Sequence, residues 1–393
     1  MRSTHSRETI LRARNGDLAV FAANGMMIAA WFSRIPDVKL QLHLSPGSLS
    51  MLLLSLSIGA ILGLPISGRV ANRLGAANTV RVGMLAGAAG VLISALAVQF
   101  EIPIGVAMFG MLLLGLGYGT CDVAMNLEGT VIEQSLGRAI MPWFHAAFSG
   151  GTVVGAVLGA VATAIKLPIG VHQPIMVAVS LAAIWWGSSR FLPAASETAG
   201  DASSKQAGAR SAWLEPRTLM IGFMVLAAAF TEGTANDWMA VAFVDGHKLA
   251  PALGVLGTAT FLVFMTLGRF LGTNALDRFG RVPVLRGLFA AALAGSLLVV
   301  FGGPIGAYFG AAIWGLGSSL GFPVGMSAAS DDPKRAAVRI SVVATIGYVA
   351  FLAGPLLIGF LGDRIGVLTS LLAVGAASVI AFLLVNSAKE PQK

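Results

Sequence analysis

The sequence predicts an all-α integral membrane protein, with twelve transmembrane helices in two pseudo-symmetric six-helix bundles. Three observations carry that expectation. First, 56% of the 393 residues are hydrophobic and only 11% are charged, and the mean hydropathy is +0.82. A soluble chain of this length would need far more polar side chains to cover its surface. Second, apolar runs of about 18 residues or more recur from end to end, the length a helix needs to cross the hydrocarbon core of a bilayer. Third, signals in the first six runs recur at equivalent places in the second six. The 49 glycines fit as well, since small residues let helices pack closely in lipid.

A formal net charge of +8 could point to nucleic acid. The basic residues, however, sit in the short connections between apolar runs, where they set membrane orientation. No nucleic-acid partner is expected. The single cysteine, Cys121, rules out an intrachain disulfide. The first apolar run is too long for a removable signal peptide and lacks a small-residue cleavage site.

In chain order, the first six spans are placed near 18–38, 48–70, 79–99, 102–127, 141–164 and 171–191. A stretch rich in Ala, Ser and Gly follows, PAASETAGDASSKQAGARSAWLEP, without periodicity, and reads as a flexible linker. The remaining spans fall near 217–242, 251–273, 282–301, 304–328, 338–361 and 366–386. The expected domains are therefore 1–192, a linker at 193–216, and 217–393. With the N-terminus inside, 20 lysines and arginines fall on the cytoplasmic side, 5 outside, and Arg269 within a span. That bias predicts both termini in the cytoplasm.

The two halves echo each other. NGMMIAAW (Asn24 to Trp31) in the first span matches EGTANDW (Glu232 to Trp238) in the seventh. GRVANRLG (Gly68 to Gly75) follows the second span, and TNALDRFGR (Thr273 to Arg281) follows the eighth. Duplicated bundles of this kind carry a solute site near mid-membrane.

The intramembrane polar residues are few. In the seventh span, Glu232 and Asn236 are four apart on one helical face, with Asp237 about 100° further round. A charged residue at the bilayer centre costs about 2.5–3.5 kcal/mol, so these groups are expected to face an internal cavity. There they bind solute or protons, or else tie helices together. In the fourth span, Asp122 and Asn126 again place an acid and an amide on one face. A carboxyl group kept from water favours its neutral form, the property a proton carrier needs. The alternative is a structural hydrogen bond. His145, one turn into the fifth span, is a candidate relay partner of Asp122 or a simple hydrogen-bonding residue. At the end of the first span, Arg34 could meet a substrate anion, pair with Asp237, or snorkel to water as an outer anchor. Trp31 and Trp238, at matching places, could flank a flat solute or be interfacial anchors. Asn24 joins them as a polar candidate in the first span. Arg269, Asp277 and Arg278 are expected to form a cytoplasmic charge cluster that acts in gating. Glycines in the fifth and eleventh spans suit helices that bend or pack tightly.

The pattern Gly-x-x-x-Asp-Arg-x-Gly-Arg between spans two and three is the loop signature of the major facilitator superfamily, and the sequence resembles that superfamily over its full length. The first copy keeps Gly68, Arg73 and Gly75 but has Asn72 for the usual aspartate. The second keeps Asp277, Arg278, Gly280 and Arg281, with Thr273 for its first glycine. WFSRIP, MNLEG, TEGTANDW and SVVATIGYVAFLAGP resemble the bacterial YbjJ-type branch. The fourth span is more distantly similar to that of L-fucose–proton symporters, which read Glu-x-x-x-Asn there and use the acid for the coupling proton. The resemblance implies the major facilitator fold and a gating role for the loop residues. It also implies a proton-coupled secondary transporter in a bacterial inner membrane, with Asp122 as proton carrier. No phosphate-binding loop and no His-Glu-x-x-His motif occur, so no cofactor, metal or enzymatic activity is expected. The expected partners are a small-molecule solute, protons and the lipid bilayer, and the expected state is a monomer. Drug–proton antiport and a non-transporting solute sensor are the alternatives.

Overall fold

The computed structural model describes residues 6–136, 140–192, 212–332 and 335–390. Twelve segments among them are helical, long and apolar enough to cross a membrane. By contact the chain divides into two compact units, Met1–Ala195 with Ala250–Leu256, and Ser196–Leu249 with Gly257–Lys393. Most of the expected linker lies outside the described residues.

In the first half the helices are α1 (Arg7–Phe32), the short α2 (Ile35–Gln41), α3 (Pro46–Gln99), α4 (Ile104–Leu136), α5 (Met141–Ala164) and α6 (Ile169–Ser188). The second half holds α7 (Pro216–Val241), α8 (Pro251–Phe279), α9 (Arg281–Phe301), α10 (Gly303–Ser318), α11 (Gly321–Ala329), α12 (Ala336–Ile365), α13 (Val367–Ser370) and α14 (Leu372–Leu384).

The first span begins well before residue 18. Ser6 caps α1 by accepting a hydrogen bond from the Thr9 amide, and Glu8 pairs with Arg12 one turn on. Polar residues 7–17 therefore continue the helix, and the first candidate span runs from Arg7 to Gln41. Asp17 consequently lies inside it. The second and third spans share α3, whose backbone leaves helical geometry at Gly75 (φ 74°, ψ 165°). Gly280, at the equivalent place between α8 and α9, has φ 78° and ψ 169°. Only glycine enters that region without steric cost, which accounts for the glycine that both loop signatures carry there.

The duplication extends to packing. In the first half α1 packs on α5 and α6, and α3 packs on α4 and α6. In the second half α7 packs on α12 and α14, and α9 packs on α10 and α14. These are the same four span pairings. The α3–α4 contact closes glycine on glycine: a Cβ on Gly117 would strike the backbone of Gly83 and Gly87. In the α9–α10 contact, Gly295 meets Gly310 and Trp314 in the same way. The glycines of the fifth span also serve tight packing, because Gly151 and Gly155 abut the α1 backbone at Ala22 and Met26. In the eleventh span Gly354 has looser surroundings, since a Cβ built on it would come no nearer than 3.7 Å to the Phe230 ring.

The tenth span is not one helix. It breaks at Ser319 and Leu320, between α10 and α11. Pro323 has no N–H to offer the Ser319 carbonyl four residues back, and its ring crowds that carbonyl. The break leaves the Ser319 oxygen available to another partner.

Candidate functional site: polar groups within the spans

Each half holds its own polar group. In the second half, Glu232 on α7 pairs with Arg269 on α8 at 3.0 Å, and both side chains keep 23% and 30% of their exposure. Arg269 Nε also donates to the Ser319 carbonyl at 3.3 Å, the oxygen freed by Pro323. One guanidinium thus ties together α7, α8 and the break in the tenth span. Gly268 and Gly272 let α8 lie close to that break, since a Cβ on either would strike Ser319 or Leu320. This corrects the expectation for Arg269. It lies ten residues before the end of α8, about 15 Å along the helix, and its partner is Glu232 rather than the Asp277–Arg278 cluster. Asp277 and Arg278 are exposed at the end of α8, with the Arg278 guanidinium 5.1 Å from the Phe279 ring centroid.

Asn236 and Asp237 are half-buried on α7, and no hydrogen bond or ion pair to a described residue holds Asp237. Trp238 is fully buried with its indole N–H unpartnered, as is that of Trp314 on α10.

In the first half, Asn126 Nδ2 donates to the Asp122 carbonyl oxygen (2.8 Å) and to its Oδ1 (3.3 Å). Both residues are half-buried. Asn24 on α1 is fully buried, with Nδ2 3.7 Å from Met125 Sδ and Oδ1 unpartnered. His145 is exposed on α5 and stands edge-on to Phe21, which stacks on Phe144. Two further acids, absent from the expected site, lie near the starting end of α1. Asp17 is fully buried, and Glu128 on α4 is 4% exposed and accepts the Leu192 amide at 2.7 Å.

Arg34 is not an anchor reaching water. It is 3% exposed, donates from Nε to Asp37 at 2.5 Å and from Nη2 to the Leu167 carbonyl at 2.9 Å. Its ion pair is thus with Asp37 rather than Asp237, and it fastens α1 and α2 to the turn between α5 and α6. Trp31 is buried beside this staple.

Of the loop residues, Arg73 is exposed and Gly75 forms the turn already described. The side-chain surroundings of Gly68 and Asn72 lie outside what is described. Arg281 enters a network that sequence reasoning missed. Asp331 accepts from Arg281 Nη1 (2.8 Å) and Arg217 Nη2 (2.6 Å), while Arg217 also bonds the Ser387 and Lys389 carbonyls. Glu390 caps α9 by accepting the Arg281 amide, which holds its carboxyl below the usual glutamate range. Glu215 accepts from Arg339 at 2.7 Å and from Thr218 at 2.8 Å, and pairs with Arg335. Burial works against the Glu215 charge, but these hydrogen bonds and the two arginines outweigh it and hold its carboxyl below the ordinary value.

A folded value below the unfolded one contributes stability in full above the ordinary glutamate range, and that contribution is lost as pH falls through the lowered value. Glu215→Gln is therefore expected to destabilise the chain by about 1 kcal/mol at neutral pH and to flatten the acid side of its stability profile. Thermal melts across an acid series test this; an acid limb identical in slope to that of the parent chain would count against it.

A model of the Major Facilitator Superfamily matches residues 18–338. The chain belongs to that superfamily. It is 31% identical over 375 residues to an uncharacterized MFS-type transporter of Yersinia pestis, covering 95% of this chain and 94% of that one. Among solved structures, the nucleoside transporter NupG matches with a TM-score of 0.75 at 16% identity, over 98% of this chain and 100% of that one. The E. coli fucose:proton symporter FucP matches with a TM-score of 0.63 at 14% identity, over 95% and 98%. The expected all-helical, twelve-span fold holds, and the protein is a multi-pass membrane transporter of the major facilitator superfamily.

Proposed function

We propose that this transporter moves a small polar solute together with a proton, by alternating access. The observation that carries the reading is Asp122, a half-buried acid within a candidate span. Its side-chain partner is the Asn126 amide on its own helix, and no cation pairs with it among the described residues. Such a carboxyl group is free to bind and release a proton without breaking an ion pair. The likeness in fold to the fucose:proton symporter and the nucleoside transporter supports a polar solute.

Within this reading Asp122 carries the proton and His145 relays it. Glu232 and Asp237 take part in coupling, while Asn24, Trp31 and Asn126 in the first half and Asn236 and Trp238 in the second contribute to solute binding. The loop residues Gly68, Asn72, Arg73, Gly75, Asp277, Arg278, Gly280 and Arg281 govern gating. The excess of basic residues in alternate connections supports a bacterial inner-membrane location with both termini cytoplasmic. A second reading, export of a lipophilic cation against protons, draws on Asp237, an acid with no partner among the described residues.

Thermal stabilisation of the purified protein by sugars, nucleosides, small organic acids and lipophilic cations, at pH 6 and pH 8, separates the two. Symport is expected to show as stabilisation by a polar solute that strengthens at pH 6. Stabilisation by lipophilic cations that strengthens at pH 8 would replace it with export.

A further inference from the structure

We infer that Asp17 and Glu128 form a second, buried proton site in the first half, holding one proton between them and using it to control the grip of α4 on the segment that follows α6. The inference deepens the proton-coupled reading above and rests on it for the meaning of the proton.

Asp17 is fully buried inside the first candidate span, and neither of its carboxylate oxygens has a hydrogen-bond partner. Its carboxyl group lies against α4 beside Glu128: a Cβ built on Gly129 would sit 3.2 Å from Asp17 Oδ2. The preceding residue, Gly16, packs against the last turn of α6, with Arg190 Cβ 2.9 Å from where its own Cβ would be. Three helices therefore converge on two acids.

The charged and titratable groups facing the pair from each packed helix leave it without a counter-ion among the described residues. On α4, Asp122 and Cys121 lie further along the helix, and Glu133 is committed to the Ile140 and Met141 amides. On α5, His145 is turned edge-on to Phe21. Beyond α6, the Arg190 guanidinium stacks on the Trp186 ring at 3.7 Å and donates to the Trp186 carbonyl. On α1, Arg14 bonds Asn15, and on α3 Arg81 donates to Ser188 and Asn78.

The two acids are unequal. Glu128 receives the Leu192 amide at 2.7 Å, a short hydrogen bond of the kind an ionised acceptor makes. Asp17 receives nothing. A buried carboxylate with no donor is expensive to leave charged, whereas its neutral form needs much less. The single proton accordingly belongs on Asp17 and the charge on Glu128. Loss of that proton puts two like charges side by side away from water. The pair relieves them by releasing Leu192 and admitting water there. The site thus converts proton loss into loosening of the segment that follows α6.

Amide hydrogen exchange of the full chain in lipid nanodiscs reads this without any solute. After correction for the intrinsic pH dependence of exchange, protection of the Leu192 amide is expected to fall about tenfold from neutral to alkaline pH, the loss of one charge-assisted hydrogen bond. Asp17→Asn, a near-isostere of the neutral acid, is expected to hold protection constant over the same range. Glu128→Gln is expected to weaken protection at every pH and remove its pH dependence. Asp17→Asn tracking the parent chain, or a parent chain with no corrected pH dependence, overturns the proposal. Sodium restoring alkaline protection at fixed pH also overturns it, in favour of a cation site. Because no transport is measured, a positive result here with no pH-driven transport would sink the symport reading and leave the site standing. A negative result with intact coupling at Asp122 would remove this site alone.

Discussion

Asp122→Asn is expected to abolish pH-driven accumulation of solute while leaving solute exchange across the membrane intact. A gradient of one pH unit is worth about 1.4 kcal/mol per proton, a tenfold accumulation when one proton moves with each solute. Asparagine keeps the side-chain oxygen that Asn126 Nδ2 approaches at 3.3 Å, so local packing is preserved. It has no proton to exchange, so the accumulation ratio is expected to drop to unity. Counterflow in proteoliposomes, where labelled solute exchanges for unlabelled solute without net proton movement, is expected to continue at a similar rate. Loss of counterflow together with accumulation would mean that Asp122 holds the solute site together and carries no proton. Accumulation that survives the substitution would move coupling elsewhere, with Asp237 the next candidate. Asp237→Asn in the same assay then decides between them.

The bundle architecture was legible because it depends on features that single residues advertise. Apolar run length marks spans, and the left-handed turns at Gly75 and Gly280 appear directly in the repeated loop signature. The site was legible only in part. Glu232, Asp237 and Asp122 stood out as acids in apolar runs, whereas Asp17 did not, because Arg7, Arg12, Arg14 and Asn15 made its neighbourhood look like a solvated tail. Only the Ser6 cap, with Glu8 in the first turn, shows that the helix starts early enough to carry Asp17 into the span. The partner of Arg269 was illegible for a different reason. Nearness in sequence favoured Asp277, but pairing follows helix packing, and Glu232 is 37 residues away in the chain. The signal that could have located it was SSLGFPVG, a glycine- and proline-interrupted apolar segment of the kind that marks binding regions in transporters. Arg34 misled in the opposite way: its partner, Asp37, was one turn ahead in the sequence.

Arg269→Met is expected to be the most damaging single change in the second half. It removes the countercharge of Glu232 and the donor to the Ser319 carbonyl at once. Breaking a fully buried ion pair costs about 3–5 kcal/mol; with 23% and 30% exposure remaining, about 2 kcal/mol is expected here. Glu232→Gln is milder, because Arg269 keeps Ser319 and the amide oxygen still accepts. Replacing both residues by methionine removes the uncompensated charge and is expected to regain most of the stability. It leaves the freed carbonyl at the break without its donor, so transport is not expected to return. The swapped pair, Glu232→Arg with Arg269→Glu, sharpens the argument. It preserves opposite charges between α7 and α8 but moves the guanidinium from α8 to α7, away from its place against the Ser319 carbonyl at the break in the tenth span. If the ion pair alone matters, the swap restores both melting temperature and transport. If the arginine works by joining α7, α8 and the break in the tenth span, the swap restores stability without transport. That second outcome is the one expected, because the Pro323 break leaves a carbonyl for which Arg269 is the observed donor.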